Sequence, residues 1–199
     1  MKILEIFNSI QGEGTYMGLP CTFVRTAGCS LHCAFCDTKE SWNPQGIEIS
    51  ISDIVKACVK PFVVITGGEP TEQADDLKDL IRALHAKDKF IAIESNGTYE
   101  HYEKLGADWV TVSPKAAAMY CLFTQGVNEL KYVVTKEFND KVAINEATRE
   151  EFLGHIWLQP CDYHNEILNR QMYQKVMSIV HSDYRLRAGI QLHKIYGVE

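Results

Sequence analysis

Phe62-Val63-Val64-Ile65-Thr66 runs directly into Gly67-Gly68-Glu69-Pro70. A short apolar run rich in β-branched residues, with no polar alternation, has the pattern of a strand buried on both faces in a parallel sheet. The two glycines and the proline end it abruptly. To either side along the chain, the same kind of run returns at Cys21 to Arg25, Phe90 to Ile93, Trp109 to Val112, Leu130 to Val134 and Ile156 to Gln159. Between several of them, Glu72 to His85, Asn139 to Leu153 and Asn165 to His181 place apolar residues at helical spacing. Strands alternating with helices predict an α/β fold with a mostly parallel sheet, either open and doubly wound or closed toward a barrel. About six such units fit into 199 residues, whereas a full eight-stranded barrel takes roughly 250, so the expectation is a partial (β/α)6-type barrel.

The residues just past each strand are as informative as the strands themselves. GGEP (Gly67 to Pro70), ESNGT (Glu94 to Thr98), SPK (Ser113 to Lys115) and QPCD (Gln159 to Asp162) each stand at a strand's C-terminal end. In parallel α/β architectures those ends share one face, where ligands bind. No linker, repeat or low-complexity tract interrupts the pattern, so residues 1–199 read as a single domain. The composition, 46% apolar with net charge −6 and no Lys/Arg run longer than two, lacks the basic footprint of a nucleic-acid binder and favours a small-molecule or protein substrate. The opening MKILEIFNSIQGEG carries Glu5 and turns polar too early for a signal peptide, and no run approaches the ~18 apolar residues of a membrane span. A soluble, cytoplasmic protein is expected.

Three of the seven cysteines lie within eight residues, as Cys29-Ser-Leu-His-Cys33-Ala-Phe-Cys36, on a loop expected after the first strand. In an intracellular chain such crowding points to metal ligation before disulfides. Cys21, Cys58 and Cys121 read as small core residues. Three thiolates bind three irons of a cubane and leave the fourth open, whereas clusters that only carry electrons usually take four protein ligands. The alternative is structural zinc, completed by His32 or by Cys161 about 125 residues downstream, but no second cysteine pair occurs at a fitting distance.

C-x3-C-x2-C with Phe35 before the last cysteine resembles the motif of the radical S-adenosylmethionine (SAM) superfamily, and Gly67 to Pro70 looks like that superfamily's GGEP motif. The resemblance implies a 4Fe-4S cluster on Cys29, Cys33 and Cys36, with SAM chelating the open iron. It further implies SAM contacts from Phe35, Cys36, Asp37, Gly68, Glu69, Ser113, Pro114, Lys115, Gln159, Pro160, Cys161 and Asp162. The Gly68 carbonyl and Glu69 are expected to meet the SAM ammonium.

A finer likeness covers essentially the whole chain: Ile10-Gln11-Gly12-Glu13-Gly14, Phe23-Val24-Arg25, the cysteine loop ending Cys36-Asp37-Thr38, TGGEP, ESNGT, VSPK, LQP and the terminal Gln-Leu-His193-Lys. In that order the motifs are similar to the 7-carboxy-7-deazaguanine synthase family of the deazapurine (queuosine) pathway. The family reaction converts 6-carboxy-5,6,7,8-tetrahydropterin to 7-carboxy-7-deazaguanine with loss of ammonia, regenerating SAM. A flat, donor-rich pterin bearing a carboxylate needs an acid for its guanidine-like edge and a cation for its carboxylate, and Glu13 and Arg25 fit those roles. Ile10, Gln11, Gly12, Thr66, His193 and the chain end at Glu199 are the other substrate contacts implied, and Thr38 the ligand of a magnesium ion. Flavodoxin as electron donor and a homodimer are implied by the family alone. A glycyl-radical-enzyme activase is the nearest rival and needs no pterin pocket; a zinc-stabilised, non-catalytic binding module is the rival from another class.

Overall fold

A computed structural model of the chain describes residues 1–115 and 125–198. Its described strands form one nine-stranded sheet in the order β3-β1-β2-β4-β5-β6-β7-β8-β9. The strands are β1 (Lys2–Ile10), β2 (Pro20–Thr26), β3 (Ile47–Glu48), β4 (Phe62–Gly67), β5 (Phe90–Ser95), β6 (Trp109–Val112), β7 (Glu129–Val134), β8 (His155–Pro160) and β9 (Leu186–Ala188). From β2 through β9 every neighbouring pair is parallel, while β1 runs antiparallel to both β2 and β3. The sheet ends at β3 and β9 without closing, so the architecture is the partial barrel expected.

All six strands read from the sequence are present, joined by β1, β3 and β9, which the apolar-run criterion passes over. Lys2, Glu5, Asn8 and Ser9 interrupt β1, and its pairing with β2 rather than its own composition makes it a strand. The cysteine loop therefore comes after the second strand of the chain, which is the first of the parallel set. The expected helix over Asn139 to Leu153 is instead two short ones, α3 (Asp140–Ala143) and α4 (Glu146–Glu151). Asn145 breaks them apart by accepting hydrogen bonds from Thr148 N and Oγ1, starting a new helix where a continuous one needed an ordinary turn. The remaining helices are α1 (Ile51–Ala57), α2 (Ala74–His85), α5 (Glu166–Ser182) and α6 (Leu192–Tyr196).

Alternation along the strands divides core from site. One set of residues, including Val24, Val63, Ile65, Ile91, Ile93, Val110, Leu130, Ile156 and Leu158, belongs to the main core that α2 and α5 help cover. On α2, Leu77, Leu80, Ile81 and Leu84 are buried at helical spacing, each worth about 1.5–3 kcal/mol relative to exposure. The other set faces the concave side. Near the strand starts it is apolar: Cys21, Phe62, Val64 and Ala92 pack with Phe23, Phe90 and Trp109. Tyr16, from the loop after β1, enters this cluster with its ring 5.2, 5.3 and 5.0 Å from those of Phe62, Phe90 and Trp109. The loop after β1 thus covers the strand-start end, and polar residues occupy the other. No helix among the described residues is long and apolar enough to cross a membrane.

Candidate active site

A cavity of about 280 Å³ opens at the C-terminal ends of the parallel strands. Alternate residues of successive strands line it: Phe23 and Arg25, Glu94 and Asn96, Ser113 and Lys115, Lys131 and Val133. Cys29, Cys33 and Cys36 line it as well. Their loop is fastened at its base, where Gly28 N donates to Ser41 O at 2.8 Å and Glu69 N donates to Gly28 O at 2.8 Å. Burial lifts the Cys29 and Cys33 thiols above the ordinary thiol range, so a cationic partner is needed to hold them as thiolates.

Among the described residues, no three Cys, His, Asp or Glu side chains close round a single point as one metal ion requires. The three thiols share the cavity wall instead, a donor set that suits a multi-iron cluster. His32 packs edge-on against Trp42, with ring centroids 5.1 Å apart, and does not line the cavity. Cys21 and Cys58 are core residues, their thiols pushed up to about 12 and about 11 by burial. Cys121 lies outside the described residues.

Of the positions expected to hold SAM, Phe35, Cys36, Asp37, Gly68, Ser113, Lys115, Gln159, Pro160, Cys161 and Asp162 line the cavity. Lys115 donates to Ser113 Oγ at 2.7 Å and lies 5.4 Å over the Phe35 ring, and burial lowers its pKa. Gln159 gives the clearest sign of a ligand's place: its Nε2 is buried and has no hydrogen-bond partner among the described residues. A buried donor left unpaired is unfavourable, and an acceptor on a bound group would satisfy it. Asp162 accepts from Lys194 Nζ at 2.7 Å, from Asn169 Nδ2 at 2.8 Å and from His164 N at 2.8 Å. The Lys194 hydrogen bond, above all, holds its carboxyl well below the usual carboxylate range.

Two residues of this set stand elsewhere. Pro114 is not on the cavity wall, and Glu69 is buried behind it. The Glu69 carboxylate accepts from Thr71 N at 3.1 Å, Thr71 Oγ1 at 2.6 Å, Ser95 Oγ at 2.9 Å and Asn96 N at 2.6 Å. It ties the GGEP loop to the end of β5 rather than facing the cavity. The glycines before it likewise serve the fold: a Cβ on Gly68 would collide with the Gly28 carbonyl, and one on Gly67, at φ +125°, with the backbone of Thr26.

Ile10, Gln11, Gly12, Glu13, Arg25, Thr66 and His193 line the same cavity, and Glu199 lies outside the described residues. Arg25 stands directly across from Glu5 in the β1–β2 register, and its Nε donates to Glu5 Oε1 at 2.6 Å. Its Nη1 donates to Thr38 Oγ1 at 3.2 Å. Thr38 precedes the 3-10 turn Lys39–Trp42 without capping it through its side chain. Glu13 has a partner that the sequence reading passes over: Lys131 Nζ lies 2.6 Å from Glu13 Oε2 and 2.7 Å from Glu94 Oε2. Gln11 Nε2 donates to the other Glu94 oxygen at 3.0 Å, and Gln191 Nε2 donates to the other Glu13 oxygen at 2.8 Å. Burial alone would lower the Lys131 ammonium and raise Glu13, but their mutual attraction outweighs it, holding both charged.

Burial lowers the pKa of His193, whose ring packs where a Cβ on Gly12 would stand. Leu192 N donates to Gly12 O at 2.9 Å, so α6 straps the C-terminal segment across the mouth. Glu94, Lys131 and Gln191 are the additions that the structure makes to the predicted set. A lysine within the otherwise apolar Leu130 to Val134 run is the signal that identifies Lys131 in retrospect, since buried lysines are rare unless paired. Gln191 stands out in the sequence only as the first residue of the terminal Gln-Leu-His193-Lys motif.

The radical SAM superfamily matches residues 23–147. A 7-carboxy-7-deazaguanine synthase from Bacteroides thetaiotaomicron is 34% identical over 197 residues, covering 99% of this chain and 98% of the relative. One from Synechocystis sp. is 35% identical over 205 residues, covering 98% and 92%. The crystal structure of QueE from Escherichia coli is similar with a TM-score of 0.74 at 27% identity, over 96% of this chain and 94% of that one.

Proposed function

The chain belongs to the 7-carboxy-7-deazaguanine synthase family of radical SAM enzymes of deazapurine biosynthesis, and on that footing we propose that it converts 6-carboxy-5,6,7,8-tetrahydropterin to 7-carboxy-7-deazaguanine with loss of ammonia. The observation that carries the reading is the meeting, in one cavity, of three cluster thiols with a carboxylate-lined polar wall. Cys29, Cys33 and Cys36 would hold the 4Fe-4S cluster, and the wall from Gly68 to Asp162, with the unpaired Gln159 amide, would hold SAM. Held there, the cluster and SAM would supply reversible hydrogen-atom abstraction from the substrate, with SAM used as a cofactor rather than consumed.

The chain's own residues bind and orient. Glu13, held ionised by Lys131, and Glu94, bonded to the same ammonium, offer acceptors to the guanidine-like edge of a pterin. Glu5 grips the Nε side of Arg25, which turns the outer guanidinium nitrogens to the substrate carboxylate. Gln11, Gly12 and Thr66 add polar contacts, and half-buried His193, neutral near pH 7, covers the ring. Thr38, beside the exposed Asp37, would give a magnesium ion one hydroxyl, leaving its other positions to water and substrate oxygens. A flavodoxin donor, a homodimer and a cytoplasmic setting complete the proposal on the family resemblance.

Anaerobically reconstituted protein incubated with SAM, dithionite, magnesium and 6-carboxytetrahydropterin is expected to yield 7-carboxy-7-deazaguanine by mass spectrometry. Cys33→Ala abolishes it and Arg25→Ala reduces it sharply. Formation of 5′-deoxyadenosine without the deazaguanine overturns the substrate; absence of both with an intact cluster overturns the cofactor assignment.

A further inference from the structure

β7 carries two buried charges on one face, Glu129 and Lys131, in a strand whose Leu130, Tyr132 and Val134 belong to the main core. Apolar side chains would serve stability equally well, because burying charge carries a desolvation penalty that even a good partner only offsets. What sets these two apart is what they hold. Lys131 binds the Glu13 carboxylate, and two residues back along the strand Glu129 binds Thr15. Glu129 Oε2 accepts from Thr15 N at 3.0 Å, Thr15 Oγ1 at 2.6 Å and Trp157 Nε1 at 2.9 Å, and Oε1 accepts from Thr111 Oγ1 at 3.2 Å. Between them Gly14, at φ +67°, presses so closely on the Glu129 carboxylate that a Cβ would collide with it. Three consecutive loop residues are therefore seated on one strand, with Tyr16 anchored in the aromatic cluster just beyond.

We propose that β7 is the positioning strand of the substrate site: Glu129 and Lys131 lock the loop after β1 so that Glu13 and Glu94 flank a single ammonium at a fixed separation. Glu129 does not line the cavity, and Lys131, which does, acts through the two carboxylates it holds. Lys131 bonds both carboxylates and so sets the spacing between the acceptors they present, while Glu129 sets the height of the loop that carries Glu13. The inference rests on the pterin reading above.

The test measures kcat and KM for 6-carboxytetrahydropterin, 5′-deoxyadenosine formed per product, and the electron paramagnetic resonance signal of the reduced cluster with SAM, in reconstituted enzyme. Lys131→Met is expected to raise KM about tenfold or more, the loss of charge-assisted hydrogen bonds on two carboxylates, and to raise the uncoupled 5′-deoxyadenosine ratio. The SAM-dependent signal stays unchanged. Glu129→Leu acts in the same direction, whereas Glu129→Gln, whose amide can donate to the Thr111 hydroxyl and still accept on its other side, retains near-parent KM. Thr15→Val, at an exposed position that does not threaten folding, raises KM severalfold and keeps the proposal testable if a β7 variant fails to fold. Parent-like KM and coupling in folded Lys131→Met and Thr15→Val overturn the proposal, as does loss of the SAM-dependent signal in parallel with activity. Parent enzyme that forms no deazaguanine refutes the pterin reading instead, a result distinct from either.

Discussion

Replacing Glu69 by glutamine separates a brace of the fold from a ligand of the cofactor. Each carboxylate oxygen faces an obligate donor, Thr71 N–H on Oε1 and Asn96 N–H on Oε2. A carboxamide has only one acceptor, so its NH2 must turn against one of these backbone amides. The site has no solvent to relieve the conflict, because Glu69 is 0% exposed. The change removes a charge-assisted hydrogen bond worth about 1.5–3 kcal/mol and leaves a buried N–H unmet at about a further 1–3 kcal/mol, giving about 4 kcal/mol in all. At about 2–4 °C per kcal/mol for a chain of this size, Glu69→Gln is expected to lower Tm by about 8–16 °C. Thermal unfolding of the cluster-free chain by circular dichroism reads this directly, and SAM affinity of the reconstituted protein is measured in parallel. A Tm within about 2 °C of the parent, combined with a tenfold or greater loss of SAM affinity, would overturn the bracing role and return the carboxylate to the cofactor.

Gln159→Met removes the unpaired buried amide, so stability without SAM holds or rises by about 1 kcal/mol while SAM binding weakens about tenfold; unchanged SAM affinity by equilibrium dialysis would show that the amide serves no ligand. In Gly12→Ala the new methyl displaces His193, and α6 lifts. KM for the pterin then rises about tenfold, SAM affinity stays as it was, and limited proteolysis cuts the C-terminal segment faster. Lys194→Met tests the other end of that strap. Because the folded pKa of Asp162 is depressed, its contribution is present above the ordinary aspartate pKa of about 3.9 and is lost as pH falls through the lower folded value. The variant is thus less stable than the parent by about 1 kcal/mol at pH 7, and the gap narrows in denaturant titrations below about pH 4; a gap independent of pH contradicts the assignment.

Much of this architecture is legible without coordinates because its signals are local. An apolar run such as Phe62 to Ile65 has one stable environment, a two-sided sheet interior, and the glycines and polar residues that end each run mark the ligand-binding face. Cys29, Cys33 and Cys36 are close enough in the chain for spacing alone to suggest a metal site. β1 escapes that logic because its mixed composition becomes a strand only against β2. The same limit applies to the site's charges. Glu13 pairs with Lys131 rather than acting as a free acid beside Arg25, and Arg25 already has Glu5.

The parallel sheet, the face that carries the chemistry and the three-thiol donor set are all properties of short segments, and so they are written in the order of residues alone. Which charge meets which is settled in three dimensions: Lys131 reaches Glu94 across 37 residues, and Gln191 reaches Glu13 across 178. A buried charge takes whichever partner the strand order and register bring within about 3 Å, and neither is a property of the residues on either side of it.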